Sequence, residues 1–188
     1  MMNIDVENSF KNFHAKGLDY ICLSRTPALT KKLYILDGDA SKVPEVVNPH
    51  DHRYIFKTTV LKGKMIDHRW KSTPLRGVPY NAFDYRTPLN GGDGFTFRGV
   101  EHLTHVQERL MSRHQFLVTD IDNIHTIQMW ADQTVLLLEQ YEDTVPIDQP
   151  TSTCSKGTPS ISDSGLYEKF TEGEIIDRLR QVGLAHYA

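Results

Sequence analysis

Two cysteines, no long apolar run and no excess of basic charge set the outer limits of what this 188-residue chain can be. Cys22 and Cys154 lie far apart in unlike contexts, which argues against a disulfide framework and leaves no cysteine pair spaced as a zinc motif. No apolar stretch approaches the ~20 residues that cross a bilayer. Lys and Arg total 21 against 24 Asp and Glu, a formal net charge of −3, so there is no electrostatic case for nucleic acid or for an anionic membrane surface. The start, Met1-Met2-Asn3-Ile4-Asp5, lacks the basic region and apolar core of a signal peptide, and a cytoplasmic setting is expected. With 39% hydrophobic and 24% charged residues, the composition is that of a globular protein with a full core.

Histidine is comparatively plentiful, at nine residues, and its placement is the most informative feature. In Pro49-His50-Asp51-His52-Arg53-Tyr54-Ile55-Phe56-Lys57-Thr58-Thr59-Val60-Leu61-Lys62-Gly63 two histidines stand two apart at the head of a run rich in aromatic and β-branched residues. In a strand, side chains alternate faces, so His50 and His52 point the same way and both can reach one metal ion. Tyr54, Phe56 and Thr58 share their face. A later histidine, His125, in Asp122-Asn123-Ile124-His125-Thr126-Ile127, is the natural third ligand, with Ile127 and Met129 inward beside it. The same pattern also suits a pair of solvent-facing histidines with the aromatics forming the core.

Along the chain, Val6, Phe10 and Phe13 at helical spacing predict a short N-terminal helix. Strands follow at 20–24 and 33–36. The run from Arg53 to Leu61 is the strongest strand signal, with a hairpin partner at 65–71. Residues 72–94, broken by Pro74, Pro79, Pro88 and several glycines, read as a long insertion with one short strand at 82–86. Further strands are expected at 95–111, 115–118, 124–130 and 134–141. By alternation, His102 and Glu108 fall on one face of 95–111 and His105 on the other. Residues 144–165, rich in Pro, Ser, Thr, Asp and Gly, read as a linker or surface meander. Thr171 and Glu174 form a capping box opening a helix with Ile175, Ile176, Leu179 and Val182 on its apolar face. The domain reading is therefore 1–143 for a barrel with an N-terminal helix, 144–165 for the linker, and 166–188 for a helical segment packing on the barrel or on a partner, which leaves a homodimer open.

Seven to ten short strands with helices only at the ends predict an all-β sandwich or barrel. His50-Asp51-His52 opening a strand, Gly63 closing the hairpin and the lone His125 resemble the cupin superfamily, over roughly Pro44 to Tyr141. The resemblance implies a cupin-type jelly-roll β-barrel with metal ligands from both motifs. The chain departs from the usual cupin pattern, however. Phe56 and Lys57 stand where a glutamate ligand is usual, and Asp120-Ile121-Asp122-Asn123 replaces the proline and glycine before the last histidine. What remains, His50, His52 and His125, is similar to the three-histidine thiol-dioxygenase branch, whose ligands hold ferrous iron.

Three neutral imidazoles leave three open positions on an octahedral ion, enough for substrate and dioxygen together. That favours Fe(II) over Zn, whose closed sites usually fill a fourth place with cysteine or carboxylate; Mn, Ni and Zn remain alternatives. Tyr54 could donate its hydroxyl to a bound oxygen species, and Arg69 could pair with a substrate carboxylate or phosphate. Arg109 is a further candidate handle, while alternation turns Arg53 outward. Glu108 or Glu139 could supply a missing carboxylate, and His102 or His105 could replace His125 or act as acid or base. The expected function is a non-haem iron dioxygenase or oxygenase acting on a small molecule. The alternatives are a non-redox cupin, such as a sugar or sugar-nucleotide isomerase or epimerase, and a non-catalytic small-ligand-binding module.

Overall fold

The computed structural model describes residues 4–13, 17–37, 48–88, 91–131, 133–157 and 167–187. Its strands form two antiparallel sheets. The first is ordered β12 (Glu168–Lys169), β1 (Asp5–Lys11), β2 (Leu18–Arg25), β3 (Leu29–Asp37), β10 (Gln133–Asp143), β4 (Tyr54–Lys62) and β8 (Phe116–Thr119). The second is ordered β11 (Thr151–Ser155), β6 (Val78–Arg86), β7 (Gly94–Ser112), β5 (Lys64–Ser72) and β9 (Ile124–Met129). The chain passes from one sheet to the other between β4 and β5, β7 and β8, β8 and β9, and β9 and β10, which is jelly-roll winding.

Period-2 patterning produces the barrel interior. On β4, Phe56, Thr58 and Val60 are buried between more open neighbours. With Leu36, Leu117, Leu136 and Leu138 of the same sheet, Phe56 and Val60 meet Met65, Met111, Ile127 and Met129 of the other. Strand β10, paired on both sides by β3 and β4, is covered on both faces. Leu136 and Leu138 enter the interior, while Val135 and Leu137 turn to a second cluster with Ile175, Leu179 and Val182. Those three belong to or end helix α1 (Glu172–Gln181), so the helix lies on its own barrel. Its start has the expected capping box: the Thr171 hydroxyl accepts from the Glu174 backbone, and the Glu174 side chain accepts from the Thr171 backbone.

Segment 49–51 bonds to both edges of the second sheet. His50 exchanges backbone hydrogen bonds with His125 on β9 at 3.0 and 2.9 Å, while the Cys154 N–H on β11 donates to Pro49 O at 2.7 Å. The sheet therefore curls until its edges meet through this segment. On the face away from the barrel interior it encloses Tyr80, Ala82, Leu103 and Cys154, with Trp70 and Ile124 packed against them. Cys22 and Cys154 are free and buried in separate clusters.

Four expectations are corrected. Strand β5 is not the hairpin partner of β4: β4 lies between β10 and β8 in the first sheet and β5 between β7 and β9 in the second, so the turn at Gly63 carries the chain across the barrel. The N-terminal stretch is strand β1, not a helix. A register irregularity against β2 between Asp5 and Phe10 buries Ser9 and Phe10 together, and that break in alternation imitates helical spacing. The stretch 72–94 is no loose insertion: Val78–Arg86 is a full strand paired along β7. Within the proposed linker, Thr151–Ser155 is strand β11 against β6, and residues 158–166 lie outside the described residues.

Candidate metal centre

The backbone pairing of His50 with His125 fixes two of the three imidazoles side by side, because directly opposed residues of an antiparallel pair share a face. His52, two residues on, follows on that face. The rings lie 4.6 Å apart for His50–His52, 5.1 Å for His50–His125 and 5.2 Å for His52–His125, centroid to centroid. One nitrogen from each comes within 4.8 Å of the others, and His52 Nε2 stands 3.0 Å from His125 Nε2. An ion ~2.1 Å from each of two nitrogens at right angles holds them about 3.0 Å apart, so the spacing suits a shared ion.

Bonds on the far nitrogens aim the rings of His50 and His125. His50 Nδ1 donates to Asn48 O at 2.7 Å, and His125 Nδ1 donates to Asp67 Oδ1 at 2.8 Å. Each bond fixes the tautomer that leaves Nε2 as a lone-pair donor. Burial, and then the neighbouring His125, push the His50 imidazole down to about 3, so it stays neutral and ready to ligate. Asp67 is itself held by Arg69, whose Nε donates to Asp67 Oδ2 at 2.5 Å and whose Nη2 donates to Thr119 Oγ1 at 2.9 Å.

His50 and His52 open on a cavity of about 440 Å³, within the range of small-molecule sites, while His125 adjoins them outside its lining. His50, His52 and Tyr54 line it, with Tyr20, Phe13 and Phe95 as apolar wall and Arg25, Lys32, Asp51 and Asp143 as charged groups. Burial raises the Tyr54 hydroxyl above the ordinary phenol range, so it serves the cavity as a hydrogen-bond donor rather than a phenolate. Burial also pushes the Asp51 carboxyl up to about 6, against the hydrogen bond it accepts from the Ser152 backbone.

Lys32 is buried at 3% exposure, donates to Gln140 Oε1 at 2.7 Å, and lies over the rings of Tyr20, Tyr34 and Tyr54 at 5.3–5.5 Å. Burial drives its amine down to about 7. Sequence reasoning missed this group. The inward alternation Thr30, Lys32, Tyr34, Leu36 on β3 is the signal that locates it.

Tyr54 is thus in the cavity wall and His50, His52 and His125 come together. Arg69 does not line the cavity; its guanidinium is committed to Asp67 and Thr119, and it supports the aspartate that orients His125. Arg53, expected to turn outward, reaches the cavity rim and donates to Pro146 O and Gln149 O. Arg109 is exposed on β7 and does not line the cavity. Neither proposed carboxylate reaches the three histidines: Glu139 pairs with Lys31 and Lys57, and Glu108 lies beside His68. His105 likewise stands with His68, not with His125.

The chain is a jelly roll carrying this histidine cluster on its interior, the arrangement that the resemblance to cupins implies. No family model matches the chain, and no curated protein matches it. Among solved structures it is similar to the iron(II) form of HppE, at 14% identity and a TM-score of 0.43, covering 71% of this chain and 55% of that one. It is also similar to hydroxypropylphosphonic acid epoxidase from S. wedmorenis, at 12% identity and a TM-score of 0.44, covering 74% and 63%. The cupin domain of Schizosaccharomyces pombe Cnp3 aligns at 11% identity with a TM-score of 0.40, covering 69% and 67%. The chain spans little more than half the length of the first of these and under two thirds of the second. No helix among the described residues is long and apolar enough to cross a membrane.

Proposed function

We propose that the chain is a metal-dependent cupin oxygenase in which His50, His52 and His125 hold Fe(II) and a small molecule occupies the adjoining cavity. One observation carries this reading: three imidazole nitrogens converge within 4.8 Å beside a cavity of about 440 Å³, with no carboxylate among them. A face of three neutral ligands leaves several open positions, and iron there would supply joint binding of substrate and dioxygen. Asn48 and Asp67 keep the rings aimed, and the apolar wall of Tyr20, Phe13 and Phe95 excludes bulk water from one side. Tyr54 presents a protonated hydroxyl toward the same space, suited to donating a hydrogen bond to an oxygen atom near the histidines.

The test is metal analysis of the purified chain followed by anaerobic Fe(II) loading and nitric oxide addition. Near-stoichiometric iron and a high-spin iron–nitrosyl resonance are expected, both lost in His52→Ala and His125→Ala. Unchanged iron content in both variants ends the proposal.

Lys32 favours a second reading, a non-redox isomerase or epimerase of a sugar or related small molecule. An amine with a pKa near 7 in the cavity wall can act as a general base at neutral pH. Turnover that persists without dioxygen and is lost in Lys32→Met selects that reading over the first.

A further inference from the structure

A second cluster of metal-ligating side chains lies on the opposite face of the same sheet. On β5 and β9, Met65, Asp67, His125, Ile127 and Met129 face the barrel interior or its metal centre, so the alternate residues His68, Trp70, Thr126 and Gln128 face the other way. Glu108 on β7 stands directly opposite His68. Strict alternation would place His105 on the other side of β7 from Glu108. A bulge intervenes: the register runs Arg69 to Gln107 and then Trp70 to His105, leaving Val106 unpaired and turning His105 onto the face of His68 and Glu108.

The geometry of the three donors is specific. His68 Nδ1 is 3.1 Å from His105 Nε2 and 3.8 Å from Glu108 Oε2, and the three donor atoms lie within 4.8 Å of one another. Ligand atoms ~2.0–2.1 Å from a tetrahedral ion stand about 3.3 Å apart, which these separations bracket. His68 Nε2 donates to Gln128 Oε1 at 2.9 Å, so Nδ1 is left with its lone pair directed at the other two groups. That lone pair meets either a proton on His105 Nε2 or a cation shared with His105 and Glu108. The Trp70 ring packs on His105 at 5.0 Å and restricts its orientation. His68 is buried, while His105 and Glu108 are open to solvent, so an ion has a route in.

We infer that His68, His105 and Glu108 form a second divalent-metal site of the zinc class, with an open fourth position and with Gln128 as the residue that positions His68. It is independent of the reading given to the interior centre. Asp67 and His68, adjacent on β5, serve the two sites from opposite faces.

The test titrates the chelator-stripped full chain with Co(II) and Zn(II), following stoichiometry by calorimetry and site geometry by Co(II) visible absorption. Two ions per chain are expected, one giving the intense absorption of tetrahedral Co(II). His105→Ala and Glu108→Gln, both at exposed side chains, should remove that ion and that absorption without changing the melting temperature of the chelated protein. His52→Ala should leave both in place. Gln128→Ala should weaken the site by roughly the 10–100-fold typical of a lost orienting partner. A single ion removed by His105→Ala and not by His52→Ala supports this site while refuting the interior one. Absence of the tetrahedral signal in the wild type, or its retention in both His105→Ala and Glu108→Gln, overturns the inference.

Discussion

Replacing Asp67 by Asn tests how the interior centre is built. The carboxylate is 3% exposed and bridges two groups, accepting from His125 Nδ1 at 2.8 Å and from Arg69 Nε at 2.5 Å. Arg69 has no other carboxylate partner among the described residues, and its Nη1 is buried without a hydrogen bond. Removing one partner of a buried ion pair costs about 3–5 kcal/mol, because the remaining charge is left uncompensated. The amide oxygen of Asn still accepts one hydrogen bond, so the lower end, about 3 kcal/mol, is expected. For a chain of this length that lowers the melting temperature by roughly 6–12 °C. Metal affinity should fall by roughly 10–100-fold, since His125 loses the carboxylate that orients its ring and raises its basicity. Urea unfolding of the metal-free protein and competitive metal titration read the two effects separately. Arg69→Met added to Asp67→Asn should recover most of the stability and none of the affinity. A melting temperature and a metal affinity both unchanged in Asp67→Asn would refute this account of the site.

Three further outcomes are expected. Gly63 turns the chain from β4 to β5, and so from one sheet to the other, at φ +73°; a Cβ there would lie 2.3 Å from the Gln133 carbonyl oxygen, so Gly63→Ala should cost at least the ~1–2 kcal/mol of a left-handed L-residue, read by urea unfolding. Lys32 sheds its proton near pH 7 when folded but near 10.5 when unfolded, so between about pH 7 and 10 the unfolded state binds more protons. Stability of the wild type should therefore rise with pH across that window relative to Lys32→Met, and a pH-independent difference between the two would count against a depressed Lys32 pKa. Thr171→Ala removes the helix cap and should destabilise by about 1 kcal/mol in thermal melts, leaving metal affinity unchanged.

Much of the interior was legible because it depends on local alternation. Phe56, Thr58 and Val60 alternate into the interior as a period-2 strand requires, whereas His50 and His52 precede that strand and Gly63 joins strands of different sheets instead of closing a hairpin. The errors cluster where that period breaks. The irregularity between Asp5 and Phe10 made a strand resemble a helix, and the bulge at Val106 reversed the predicted face of His105. Arg69 was misassigned for another reason. Its inward direction follows from alternation, but its commitment to Asp67 and Thr119 depends on which strands adjoin it.

By itself, the sequence determined the all-β class, the closely spaced histidine pair, the capped terminal helix, and the replacement by Phe56 and Lys57 of the glutamate usual four or five residues after His52. Each follows from residue types within a few positions of one another. Only the tertiary structure decided that β9 and segment 49–51 pair, bringing His125 to His50, because that contact joins residues far apart in sequence. It also decided that Lys32 enters a cavity shared with the histidines, that Asp67 meets His125, and that His68 meets His105. Strand order and register set those neighbours, and neither is written in any single stretch of the chain.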